Sequence, residues 1–139
     1  KFWDRRYRDI NDFEDHLDKN GTIILKFFLH ISKEEQKRRL LERLENKDKY
    51  WKVSPADLKE RGYWDDYIYA YEAMLSKTST SWAPWYVIPA DYKWAARALV
   101  AHVVSKKIQE LDLKYPQVTK KQVEDLKKSK KQLMREGRP

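Results

Sequence analysis

Residues 21–43, GTIILKFFLHISKEEQKRRLLER, decide how this chain folds. Gly21 ends whatever precedes it. Ile23 to Ile31 then run nearly unbroken in apolar residues, rich in Ile and Phe, until Ser32 stops them. Such a run predicts a strand buried on both faces, as in a parallel sheet. Ser32-x-x-Glu35 is a capping box and opens a helix. Leu40, Leu41 and Leu44 mark its apolar face, and Lys37, Arg38, Arg39 and Arg43 crowd the remainder. The order places guanidinium forks at the carboxyl end of a strand, where open α/β sheets bind their ligands. Planar forks suit phosphate, so phosphate is the expected guest.

Upstream, Ile10, Phe13 and Leu17 recur at helical spacing behind Asn11, with Glu14 three residues after it. This predicts a helix capped at Asn11 and ended by Asn20-Gly21. Downstream, Asn46 to Val53 reads as a charged connection. Ser54-Pro55-x-Asp57 is a strong helix start. Trp64, Tyr67, Ile68, Tyr71, Met74 and Leu75 continue at helical spacing, with a break expected at Gly62. Thr78 to Ala83 reads as a polar loop and Trp85 to Ile88 as a second strand ended by Pro89. Asp91 can cap a long helix whose buried side carries Leu99, Val103, Val104, Ile108 and Leu111; Pro116 breaks it. Thr119-x-x-Gln122 opens a basic tail helix. Strands alternating with helices predict an α/β fold with parallel pairing. Two strands make a poor sheet alone, so the fold reads as half of something larger.

The 139 residues allow one domain. We divide them into 1–118, the body, and 119–139, a basic helical tail. Aromatic residues at 14% and apolar residues at 41% supply a core, and charged residues at 37% supply solvated surface. No apolar run approaches the ~20 residues of a membrane span. The absence of cysteine excludes disulfides and thiolate metal sites. A net charge of +8 favours polyanionic partners. Much of it sits in the tail, where 119–138 hold eight Lys/Arg against three Asp/Glu.

Candidate ligand residues follow from placement. Arg39 and Arg43 are the forks after the first strand; their alternative is a solvated face with pairs such as Arg38–Glu42. Lys26 lies inside the apolar strand, where an ammonium is costly unless it meets an anion or a carboxylate. Lys52 adjoins Trp51, whose ring is expected to pack. Asp91, Lys93 and Arg97 follow the second strand, although helix capping also explains Asp91. Asp65 and Asp66 are neighbours on a helix and cannot face one point. His16, His30 and His102 have no metal-ligand spacing, and no catalytic or metal-binding residue is assigned.

Several stretches carry a family resemblance: RYRDINDFEDHL (6–17), ILKFFLHISKEEQKRRLLER (24–43), YWKVSPADLKERGYWDDYIYAYEAML (50–75) and TSTSWAPWYVIPADYKWAAR (78–97). In this order, over roughly residues 6–113, they resemble the C-terminal half of the family-2 polyphosphate kinases. The resemblance implies the C-terminal portion of a P-loop kinase-like, three-layer fold with parallel strands, helix-rich in this stretch. It implies phosphoryl transfer between inorganic polyphosphate and AMP or ADP, with Mg²⁺, in a cytoplasmic homo-oligomer. It also implies that Arg39, Arg43 and the segment holding Asp91, Lys93 and Arg97 approach the phosphates. The family's active site begins with a glycine-rich phosphate loop, whereas the glycines here are Gly21, Gly62 and Gly137 and build none. The expectation is therefore a fragment, inactive alone, with Mg²⁺ bound mainly by the missing half. The rival readings are a nucleic-acid-binding module, drawn from charge and aromatics, and a non-catalytic interaction protein.

Overall fold

The computed structural model describes residues 1–136; the last three residues of the expected tail, Gly137 among them, lie outside the described residues. The elements are α1 (Phe2–Lys19), β1 (Lys26–His30), α2 (Lys33–Glu45), a short 3₁₀ helix (Lys47–Lys52), α3 (Pro55–Arg61), α4 (Trp64–Thr78), β2 (Trp85–Pro89), α5 (Lys93–Glu110) and α6 (Lys120–Glu136). Residues Lys1–Lys106 form one compact unit, and those from Lys107 on form a second. Among the described residues, no helix is long and apolar enough to cross a membrane.

β1 and β2 pair in parallel, Lys26 opposite Trp85 and His30 opposite Pro89. The fold is thus helix-rich α/β with a parallel two-stranded sheet. α2, α3 and α4 form the crossover. The core beside the sheet is small: Ile88, Ala90 and Ala96 are buried, with Phe27, Ile31, Tyr86 and Val100 packed against them.

Most helix starts follow the capping chemistry. The Ser32 hydroxyl accepts the Glu35 amide at 3.1 Å. The Asp57 carboxylate takes the Ser54 amide at 2.7 Å, and the Gln122 side-chain carbonyl takes the Thr119 amide at 2.7 Å. Gly21, at φ +83, follows α1 in the left-handed region.

Five expectations need correction. The expected buried side of the last long helix before Pro116 is largely open, with Leu99, Ile108 and Leu111 exposed. α1 starts at Phe2, well before Asn11, whose side-chain amide reaches across to donate to the Lys77 carbonyl at 2.9 Å. The cap-like residue is a cross-link between α1 and α4. β1 is shorter than Ile23–Ile31, and it is not buried on both faces: Leu29 and His30 are exposed. Among the described residues only one strand flanks it, so its other edge is open. Trp51 does not pack; it is 79% exposed, and its indole N–H donates to the Asp48 carbonyl. Asp91 does not cap α5. Its carboxylate accepts the Ser32 amide from the other strand end, at 2.7 Å.

Thr78 to Ala83 is a self-bonded turn that follows α4. The Thr78 hydroxyl donates to the Met74 carbonyl and accepts the Trp85 indole N–H at 2.9 Å. The Ser79 and Thr80 hydroxyls accept the Trp85 and Ala83 amides. These bonds seat Trp85, so β2 starts in register with Lys26.

Candidate functional site

The carboxyl ends of β1 and β2 are fastened together by polar groups. The Ala90 amide donates to the His30 carbonyl at 2.8 Å, carrying the ladder one step past the strand. Asp91 then takes the Ser32 amide, an N–H that α2 itself leaves without a partner. Arg39, on the second turn of α2, reaches back over this junction. Its Nη2 donates to the Ala90 carbonyl at 2.6 Å and the Asp91 carbonyl at 3.1 Å, while its Nε donates to Glu35 at 2.6 Å. Glu35 receives Arg38 as well, at 2.7 Å from both Nε and Nη2. Hydrogen bonding by the Arg38 guanidinium, with Arg39 beside it, pulls the Glu35 carboxyl down to about 2.

Beside this junction opens a cavity of about 470 Å³ between Ile31, α2, α3 and α4. Its cationic wall holds Arg39, Arg43 and Arg61. Arg61 is fixed by the Lys33 carbonyl at 2.7 Å and the Gln36 side-chain oxygen at 2.8 Å. Arg43 is half-buried, and among the described residues no hydrogen bond or ion pair engages its guanidinium. Trp64, Tyr67 and Tyr71 also line the cavity, as do the carboxylates of Asp57 and Glu60. The Tyr67 and Tyr71 rings stack with centroids 6.1 Å apart, and Tyr71 leans on Phe28 at 4.9 Å. The Tyr67 hydroxyl donates to Glu60 at 2.6 Å, and that carboxylate pushes its ionisation up. A cavity lined by both an unpaired guanidinium and flat rings can hold a group that is anionic at one end and planar at the other.

The residues singled out from sequence fall in different places. Arg39 and Asp91 meet at the carboxyl ends of the strands, and Arg43 lines the adjacent cavity with Arg39. Lys93 and Arg97 lie one turn apart on α5, both exposed. The Glu42 carboxyl is held low mainly by its hydrogen bond from Lys49, with Lys93 and Arg38 adding to the effect, so Lys93 faces the α2 side. Lys52 is exposed, its ammonium 4.8 Å from the centre of the Trp51 ring. Lys26 opens β1 and therefore stands at the other end of the sheet. It is 9% exposed and donates to Glu14 and to the Thr78 carbonyl, both at 2.6 Å, beside the Trp85 ring. That is the carboxylate-paired alternative for Lys26. Asp65 and Asp66 are both exposed on α4.

Sequence reading missed Arg61 and placed Tyr67 and Tyr71 only at helical spacing on one element. The available signal was the last turn of α3, where an arginine precedes the Gly62 break. The fold around that break returns α3 to the start of α2. Among the described residues, no three His, Asp or Glu side chains converge as a metal site.

The family model for polyphosphate kinase 2 matches residues 1–133. The chain is 48% identical over 134 residues to the ADP-polyphosphate phosphotransferase of Rhodopseudomonas palustris, covering 96% of this chain and 46% of that protein. It is 52% identical over 115 residues to the AMP/ADP-polyphosphate phosphotransferase of Meiothermus ruber, covering 83% and 43%. It therefore spans less than half the length of these two curated relatives. A Leptolyngbya boryana protein, named only as an uncharacterized protein in the chlN 3′ region, is 47% identical over 131 residues, covering 94% of this chain and 96% of that one. The crystal structure of polyphosphate kinase 2 from Arthrobacter aurescens TC1 superimposes with a TM-score of 0.80 at 50% identity, covering 82% of this chain and 40% of that one.

Proposed function

The chain belongs to the polyphosphate kinase 2 family, and we propose that it is the C-terminal part of a P-loop kinase-like enzyme that moves a phosphoryl group between inorganic polyphosphate and AMP or ADP. The observation that carries this reading is the half-buried Arg43. Its guanidinium lacks a protein partner among the described residues, and it lines, together with Tyr67 and Tyr71, a cavity beside the carboxyl ends of parallel strands. A partly desolvated guanidinium gains most from a phosphate, which it can grip with two parallel bonds.

The roles divide by what each group already holds. Arg43 grips a nucleotide or polyphosphate oxygen, with Lys52, Lys93 and Arg97 as outer cations. Arg39 and Asp91 position the junction that presents Arg43, and Arg61 fixes the adjacent wall. Lys26 ties the far end of the sheet and sets the strand register. In the reaction, an oxygen of the acceptor phosphate attacks a terminal phosphorus of polyphosphate, and the P–O bond to the shortened chain breaks. Phosphoryl transfer depends on backbone amides, a lysine and a metal that neutralise the moving charge. The three glycines of this chain build no loop to supply them. We place those groups and Mg²⁺ outside this polypeptide, and the working enzyme in a cytoplasmic homo-oligomer.

The test is direct. This chain, mixed with long-chain polyphosphate and ADP or AMP, should bind the nucleotide yet form no new phosphoanhydride. Turnover at a full enzymatic rate would refute the division of labour. Arg43→Gln should weaken ADP binding about tenfold in calorimetry, equivalent to about 1.4 kcal/mol. An unchanged affinity would remove Arg43 from the site.

A further inference from the structure

Helix α6 has no role in the cavity. Between Lys120 and Glu136 it carries seven Lys/Arg against three Asp/Glu. Lys120, Lys127, Lys131 and Arg135 recur at seven- and four-residue steps and so share one face, with Lys128 beside them and Glu124 between Lys120 and Lys127. By helical rise the row is roughly 22 Å long. Its charge is almost uncompensated: among the described residues, the one ion pair on α6 joins Lys128 to Asp125 at 3.4 Å. The reciprocal Thr119–Gln122 bonds fix the start of the helix, so the row is a property of an ordered element. A row of cations broken by a single carboxylate, with three of its four members after that break, complements a linear polyanion.

We infer that α6 is a tether for linear polyphosphate, a contact made by residues other than those of the Arg43 cavity. The inference rests on polyphosphate being the substrate, as proposed above. Two other polyanionic surfaces fit less well. A membrane-lying helix needs a clean apolar face. Here the stripe of Val123, Leu126, Leu133 and Met134 is interrupted by Lys130, four residues after Leu126 and three before Leu133, and it holds no aromatic ring. Single-stranded nucleic acid is held by stacking on rings as well as by charge, and α6 has none. Polyphosphate needs charge alone. Holding one part of a long chain raises the local concentration of the rest without any new contact at the reacting end.

The experiment titrates the full 139-residue chain with fluorescently labelled long-chain polyphosphate and with tripolyphosphate across a salt series. The comparison protein carries Lys120→Gln, Lys127→Gln, Lys131→Gln and Arg135→Gln. Glutamine keeps helix propensity, and circular dichroism verifies that α6 remains. The variant should bind long-chain polyphosphate more than about tenfold less tightly at low salt. The slope of log affinity against log salt should shrink by roughly 3, from about 0.7 per lost contact on a flexible chain. Tripolyphosphate, too short to follow the row, should bind both proteins alike. If the unaltered chain binds long polyphosphate and the variant matches it in affinity and slope, the tether is wrong while the substrate assignment stands. If the unaltered chain does not bind long polyphosphate at all, the substrate assignment falls with it. Tighter binding to phosphatidylserine vesicles or to oligo-dT than to polyphosphate, lost in the same variant, would also overturn the proposal.

Discussion

Arg39 shows how one side chain can belong to a ligand site without being free to touch a ligand. Its guanidinium joins Glu35 to two carbonyls of the β2–α5 junction, and it is 20% exposed. A lysine has neither the planar fork nor the number of fixed donors to span these three partners. Arg39→Lys should therefore destabilise the fold by about 1.5–3 kcal/mol, the scale of a charged hydrogen bond, read from the urea midpoint at constant m. A loss below a few tenths would mean that the clamp is idle. Glu35 makes the companion case. Its carboxyl titrates at about 2 in the folded chain against an ordinary 4.5. The unfolded state thus takes up the proton first as pH falls. The stabilisation is complete above about 4.5 and disappears on the way down to about 2. Glu35→Gln should flatten that part of the stability–pH curve and leave the slope near neutrality unchanged; equal acid slopes in both proteins would contradict the pairing. These pairings were half legible. The i,i+4 spacing revealed Arg38–Glu42, but the carbonyls of Ala90 and Asp91 lie some fifty residues from Arg39, and only the parallel register of the strands brings them to it.

At the scale of elements, caps and breakers were the readable signals. Ser32, Ser54-Pro55, Gly62 and Thr119 each placed a helix end because the local backbone demands those residues. Asn11 misled because an amide side chain suits a cap and a cross-link equally well, and the choice depended on where Lys77 lies after α4. Asp91 misled for the same reason. β1 was overcalled because continuous apolar sequence reports what a strand would bury, whereas the strand length also depends on how many neighbours pair with it. The cavity was legible on the α2 side only, since Arg61 and the tyrosines reach it through the turn at Gly62. Gly21 offers the sharpest test at this scale. At φ +83 a side chain is strained, yet a Cβ there meets nothing within 4 Å. Gly21→Ala should thus cost about 1 kcal/mol through backbone strain alone. Gly21→Asn should recover most of the loss, since asparagine tolerates the left-handed region better. An alanine variant as stable as the parent would show that the turn relaxes freely.

For the molecule as a whole, the ratio of apolar residues to buried apolar residues decides its behaviour. The sequence holds six Trp and four Phe. The buried apolar side chains of the described residues are Ala83, Ile88, Ala90 and Ala96, and none is larger than isoleucine. Leu29 and Val87, one on each strand, are more than half exposed, as are Trp94 and Tyr92 just after β2. Parallel sheets are otherwise found with both faces covered, because their strands carry apolar residues on each side. Each strand of this sheet has one paired edge and one open edge, and open apolar edges recruit other chains. The exposed strands should therefore drive self-association, with sedimentation velocity showing a weight-average mass that rises with concentration from 1 to 100 µM. Leu29→Lys and Val87→Lys, which place a charge on each strand, should shift the chain toward monomer without loss of helix. Backbone amides of Lys26–His30 should exchange faster in that variant than in the associated parent, because association is what covers the second edge. A parent that stays monomeric across the whole range, with slow exchange in β1, would show that two strands and a core of alanines and one isoleucine suffice, and the case for a missing neighbour would end there.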